Sequence, residues 1–278
     1  MLPWWGWVGV VLVGIFLLLS FSRRLWRAEV RRELRAVLER EGYEVLEEHQ
    51  DRFKLKKDGS EGELFLRNIY YACAQARSQE EHAEVFERFL ATARATDEMT
   101  KGKLTLEEHG PRIMPRLVPG PFFAQLGEKA KELPRRRVPE LGLDVVYVVD
   151  SEHAVVFLTK EHVADLALSD DELHELALEN LEKQFPAELV KKALDGTLVA
   201  VKCMDTYDAA RLLLVPSILD PGQELAAGIP DRETLFLAPV PKDGNWSGLG
   251  RLAKTPGSEH LLIDRPIKVT REGFELVS

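Results

Sequence analysis

The chain has 278 residues, with 37 Lys and Arg against 46 Asp and Glu, and a net charge of −9. An acidic chain of this kind lacks the basic face that phosphate backbones require, which argues against nucleic-acid binding. Its content of 45% hydrophobic and 30% charged residues suits a packed core and excludes a largely disordered chain.

Residues 1–22 contain no charged side chain, and 8–19 are almost wholly aliphatic. A helix from Trp4 to Phe21 rises about 27 Å at ~1.5 Å per residue, close to the ~30 Å hydrocarbon thickness of a bilayer. Trp4, Trp5 and Trp7 stand at one end and Trp26 past the other, as interfacial indoles do. There is no basic n-region or small-residue cleavage site, so the expectation is an uncleaved transmembrane anchor over 1–22 rather than a signal peptide. Seven arginines follow within about twenty residues, beginning with Arg23, Arg24 and Arg27. The positive-inside rule then predicts a single-pass protein with its N-terminus outside and its body in the cytoplasm.

Trp26, Val30, Leu34, Val37 and Leu38 recur at helical spacing through the arginines, and Gly42 offers a C-terminal stop. The pattern predicts a juxtamembrane amphipathic helix over 23–41 lying on lipid, with the folded body beginning after it. An N-terminal α/β half is expected over 42–110: strands over 43–48, 52–56 and 63–67, then two helices. The second helix opens at the capping-box pattern Ser78–Glu81. Six prolines between 110 and 139 mark 111–139 as a connection holding at most an edge strand and a short helix.

A C-terminal domain is expected over 140–278. The apolar run 143–149 reads as a buried strand with a hairpin partner over 154–159. Helices follow over 160–168 and 170–185, the second headed by the capping box Ser169–Glu172. Further strands are expected over 197–204, 225–229 and 234–238, and a closing hairpin over 267–277. The fold class is therefore α+β, an N-terminal transmembrane helix followed by a mixed sheet-and-helix body. The order of elements suggests two similar β-β-α-α-β halves.

Chemistry is sparsely signalled. None of the seven histidines falls at a zinc-ligand spacing, and there is no phosphate loop or nucleophile elbow. No metal or cofactor is implied. Cys73 and Cys203 sit in apolar patterns and read as small buried hydrophobes, consistent with a reducing compartment. Two polar clusters stand out as a candidate patch. Asp205 and Asp208 follow a strand, where Asp205 or Thr206 could serve only as a helix cap. Asp231, Arg232 and Glu233 join two strands, where they could form only a charged turn.

Several of these segments carry a family likeness. The stretch Asp144 to Asp150, the run from Thr159 through Asp171, Glu172, Leu173 and His174 to Leu181, then 208–213 and 230–235, resemble the YtpQ-like bacterial proteins. The likeness spans about 112–240. Glu233 stands where the family pattern has Asp. The resemblance implies a bacterial source and a cytoplasmic domain, and no activity, since that family is a domain of unknown function. The sequence thus points to a membrane-tethered, non-enzymatic module whose partners are the bilayer and a further protein. The alternatives are a hydrolase using carboxylates such as Asp150, Asp205 or Glu233, and a small-ligand sensor.

Overall fold

The computed structural model describes residues 24–277 other than 58, 152–154, 204 and 256–259. The chain divides into two compact units, up to Ala95 and from Thr96 onward.

The first unit opens with helix α1, described over 24–40. It ends as the glycine predicted: Gly42 has φ +83°, its N–H donates to Glu39 O at 3.1 Å, and Tyr43 N–H donates to Leu38 O at 3.0 Å. These two bonds satisfy carbonyls that the helix end leaves open. An antiparallel sheet of β1 (Glu44–Glu48), β2 (Arg52–Lys57) and β3 (Ser60–Phe65) follows, then α2 (Arg67–Gln75) and α3 (Gln79–Lys101). Ser78 caps α3 by accepting from Glu81 N–H at 3.2 Å. Phe53 and Leu55 of β2, two residues apart and so on one sheet face, join Ile69, Tyr70 and Cys73 of α2 and Val85, Phe86 and Leu90 of α3 in one apolar cluster.

That cluster corrects the expectation for 23–41. Val30, Leu34 and Leu38 of α1 are each 1% exposed within it. Trp26 packs against the same cluster with its ring 6.0 Å from Tyr70, and the Arg27 guanidinium lies 5.1 Å over the Tyr70 ring. Arg31 bonds Glu48 at 3.0 Å and Tyr70 at 3.2 Å, while Arg35 bonds Glu39 at 2.8 Å. An apolar stripe requires cover, and here protein supplies it. Arg24 is exposed.

Among the described residues no helix is long and apolar enough to cross a membrane. The expected span over 1–22, with Trp4, Trp5, Trp7 and also Arg23, lies outside the described residues. The anchored, single-pass architecture and the location drawn from it are corrected to that finding. The part of the chain expected to lie on lipid belongs instead to a protein core.

The second unit begins with α4 (Leu106–His109) and β4 (Ile113–Pro119), then α5 (Gly120–Leu126), β5 (Arg135–Val138), β6 (Leu143–Asp150) and β7 (Val155–Phe157). The stretch 111–139 thus supplies two strands and a helix. Pro115 and Pro119 are tolerated because β4 is an edge strand in the order β4-β6-β5, with β7 also on β6. Helices α6 (Lys160–Leu166), α7 (Asp170–Glu182) and α8 (Glu188–Leu194) follow. Both halves of the Ser169–Glu172 capping box form. Then come β8 (Val199–Val201), a 3₁₀ turn over Ala209–Leu214, α9 (Val215–Ile218), β9 (Glu224–Gly228), β10 (Leu235–Pro239), α10 (Ser247–Ala253), β11 (Ile267–Thr270) and β12 (Gly273–Leu276). The last sheet runs β12-β11-β9-β10-β8, and every described pairing in the molecule is antiparallel.

The fold is therefore mixed α+β with three sheets among the described residues. The expected β-β-α-α-β order is not met, since α4 intervenes before β4 and α8 before β8, and the strands do not close as halves. β4 pairs with β6 rather than with β2 or β3, and β8 pairs with β10 rather than with β6. One core gathers Ile113 and Leu117, alternate residues of β6 from Leu143 to Val149, and the inward side chains of β9, β10 and β11. The opposite face of β4 and β6 presents Met114 and Val148 to Leu181, Tyr207, Ala210 and Leu214. Burial on both faces explains the apolar run Val145–Val149 of β6, while Asp144 within the strand is paired with Arg137.

Candidate functional site

The site is built where the chain leaves β8. Asp205 Oδ1 accepts from Tyr207 N–H at 3.1 Å, and Asp208 Oδ1 accepts from Cys203 N–H at 3.0 Å. Between them Thr206 takes φ +68°. A β-branched residue rarely adopts this left-handed conformation, which costs about 1–2 kcal/mol. Neither Asp205 nor Thr206 caps the 3₁₀ turn, whose N-cap is Asp208 without a side-chain bond.

Arg211 extends from that turn back into the loop. Its Nη1 donates to Asp205 Oδ1 at 2.8 Å and to Asp208 Oδ1 at 3.2 Å, and Nη2 donates to Asp205 Oδ2. The side chain is 0% exposed, and among the described residues its Nε has no hydrogen-bond partner. Burial alone raises a carboxyl pKa, but the Arg211 bonds and charge and the Tyr207 N–H hold Asp205 below the ordinary range. Asp208 is pushed above it, because burial outweighs the Cys203 N–H and the Arg211 charge.

A second guanidinium enters from β4. Arg116 is 9% exposed, donates from Nη2 to Thr206 Oγ1 at 3.3 Å, and lies 5.3 Å over the Tyr207 ring. Among the described residues its Nε has no hydrogen-bond partner, and the buried Tyr207 hydroxyl interacts with Asp150. Burial raises the Tyr207 pKa against the pull of Arg116, and nearby Asp150 adds to the rise, so the phenol keeps its proton.

The second sequence cluster meets the first through its backbone. Ala209 N–H donates to Arg232 O at 3.2 Å, and Arg232 N–H donates to His260 O at 3.2 Å. Asp231 is 0% exposed, and its Oδ1 accepts from Glu233 N–H at 2.9 Å. Arg232 bonds Glu233 at 3.3 Å. Burial and the charge of Arg116 together lower the Arg232 pKa. The structure thus brings Asp205, Asp208 and Arg232 to one neighbourhood, with Asp231 shaping the turn and Glu233 at its rim.

Sequence reasoning missed Arg116, Arg211 and Tyr207. The signal was an arginine inside an apolar run, at 113–118 and again at 209–214. Such a charge is seldom buried without a partner or a task.

A cleft of about 350 Å³ borders the site, with Arg112, Met114, Asp150, Gln184, Asp205 and Tyr207 on its wall. Asp205 is tied to Arg211 and ionised, and Tyr207 keeps its proton. The wall therefore offers a carboxylate fixed by its guanidinium and a protonated phenol beside Asp150. Among the described residues no group of three or more His, Cys, Asp or Glu is placed to hold a metal ion. No family model matches the chain, and no match is found among the curated proteins or the solved structures.

Proposed function

We propose that the second unit is a non-catalytic module that binds a small polar ligand in this cleft. The observation that carries the reading is the polar wall of the cleft, where the buried Tyr207 phenol interacts with Asp150 beside Asp205, a carboxylate held ionised by Arg211. A few convergent polar groups in a concavity are what a small-ligand site presents. The segments 208–213 and 230–235 that resemble YtpQ-like proteins form two arms of the same neighbourhood.

A protein-interaction module finds support in the open edges of the five-stranded sheet. Those edges, β8 and β12, are three and four residues long, which gives little room for an added strand. The test is a thermal-shift and calorimetric screen of small polar metabolites against the full chain and Gln184→Trp, which fills the cleft. The expected result is a ligand that stabilises the wild type and not the variant. No ligand for the wild type, or equal response in both, overturns the reading.

A further inference from the structure

His82 of α3 sits where three helices of the first unit meet. Its Nδ1 lies 3.3 Å from Glu33 Oε2 on α1, and its Nε2 lies 3.2 Å from Cys73 O in the last turn of α2. Both neighbours are hydrogen-bond acceptors. A neutral imidazole carries one N–H and one lone pair, so either tautomer turns a lone pair toward one of these oxygens. Only with one further proton, on the ring or shared with the carboxylate, are both contacts hydrogen bonds.

The surroundings suit a cation there. The His82 side chain is 17% exposed and that of Glu33 26%, so water covers only part of the pair. The end of α2 at Cys73 carries the negative pole of its helix dipole. Glu80 and Glu81 add negative charge in the first turn of α3, against the positive pole of that helix. The Phe86 ring, 6.3 Å from the imidazole, brings no charge. Burial, and then the Glu33 charge, push the Cys73 thiol up to about 11, so it stays neutral.

We infer that Glu33, His82 and the Cys73 carbonyl form a proton-dependent clasp that fastens α1 to α2 and α3. With the proton bound, both contacts are charge-assisted hydrogen bonds; without it, one of them turns repulsive. Folding with both bonds made takes up the proton. The clasp therefore strengthens as pH falls through the range where imidazoles titrate, and is lost above it. The bonds of Arg31 to Glu48 and Tyr70 need no such proton and hold α1 at both ends of that range. The clasp thus sets how firmly Val30, Leu34 and Leu38 stay covered.

The experiment is amide hydrogen exchange of the full chain at about pH 5.5 and about pH 7.5, each rate taken relative to the intrinsic rate at that pH. Protection of the α1 amides from Val30 to Leu38 should be about fivefold or more higher at the acid end in the wild type. His82→Gln and Glu33→Gln should each abolish that dependence, and Glu33→Gln carries the test if His82→Gln does not fold. Protection that stays flat or falls on acidification of the wild type, or a rise that persists in the variants, overturns the clasp. The amides of α7 should show no such rise, and an equal rise there reports a general effect of acid and overturns it as well.

Discussion

Arg211 and Asp205 form a two-bonded ion pair in which the guanidinium is wholly buried and the carboxylate is partly open toward the cleft. The pair ties the loop after β8 to the turn over Ala209–Leu214, and so fixes where Thr206 and Tyr207 stand. The contacts that Arg116 makes with the Thr206 hydroxyl and the Tyr207 ring depend on this loop.

Removing Arg211 should therefore be costly. Arg211→Ala leaves Asp205 and Asp208 facing each other without their cation, and is expected to destabilise the second unit by about 3–5 kcal/mol. The double variant Arg211→Met with Asp205→Asn should recover part of that loss. Hydrogen exchange of the amides from Tyr207 to Leu214 reads both; equal protection in Arg211→Ala and wild type contradicts the role.

Thr206 offers a test of backbone strain. Thr206→Gly and Thr206→Val both remove the acceptor for Arg116, but only glycine relieves the left-handed backbone. Thr206→Gly should therefore be the more stable of the two by about 1 kcal/mol. Thermal denaturation in which Thr206→Val is as stable as Thr206→Gly would rule out this account.

Acidification should act through His174. Its Nδ1 lies 3.0 Å from Tyr147 Oη, and burial first, then the Arg136 charge, lowers its pKa against the pull of Asp171. The unfolded chain, with an ordinary value near 6.5, then binds more protons than the folded one below about pH 6.5. The stabilisation is complete above that value and is lost as pH falls through the lower folded one. Melting temperature against pH from 7 to 5 should fall less steeply in His174→Gln than in the wild type. Parallel curves would show that His174 contributes nothing.

The first unit should fail without α1. Leu34 is 1% exposed among Phe53, Ile69 and Phe86, so Leu34→Ala is expected to cost about 2–5 kcal/mol. A chain starting at Gly42 loses Val30, Leu34 and Leu38 together and should aggregate or bind a hydrophobic dye. A soluble, cooperatively folding truncation would restore the independent body that the sequence suggested.

What the sequence determined by itself was local. The Gly42 stop, the Ser169–Glu172 capping box, the buried β6 and the hairpin of β11 and β12 each arise within a few residues, through hydrogen bonds that neighbours make or a period the chain repeats. The polar segments around Asp205 and Arg232 were also legible, because charge breaking an apolar pattern is visible without a fold. Tertiary structure decided the rest. An amphipathic stripe such as Val30, Leu34 and Leu38 states only that it needs cover, and lipid and protein satisfy it equally; packing against Phe53 and Phe86 chose protein. Arg116 meets Thr206 across 90 positions of chain, and Arg211 reads as one charge in an apolar run until the loop closes over it. Contacts between residues so far apart follow from how sheets and turns are brought together, and no local spacing encodes them.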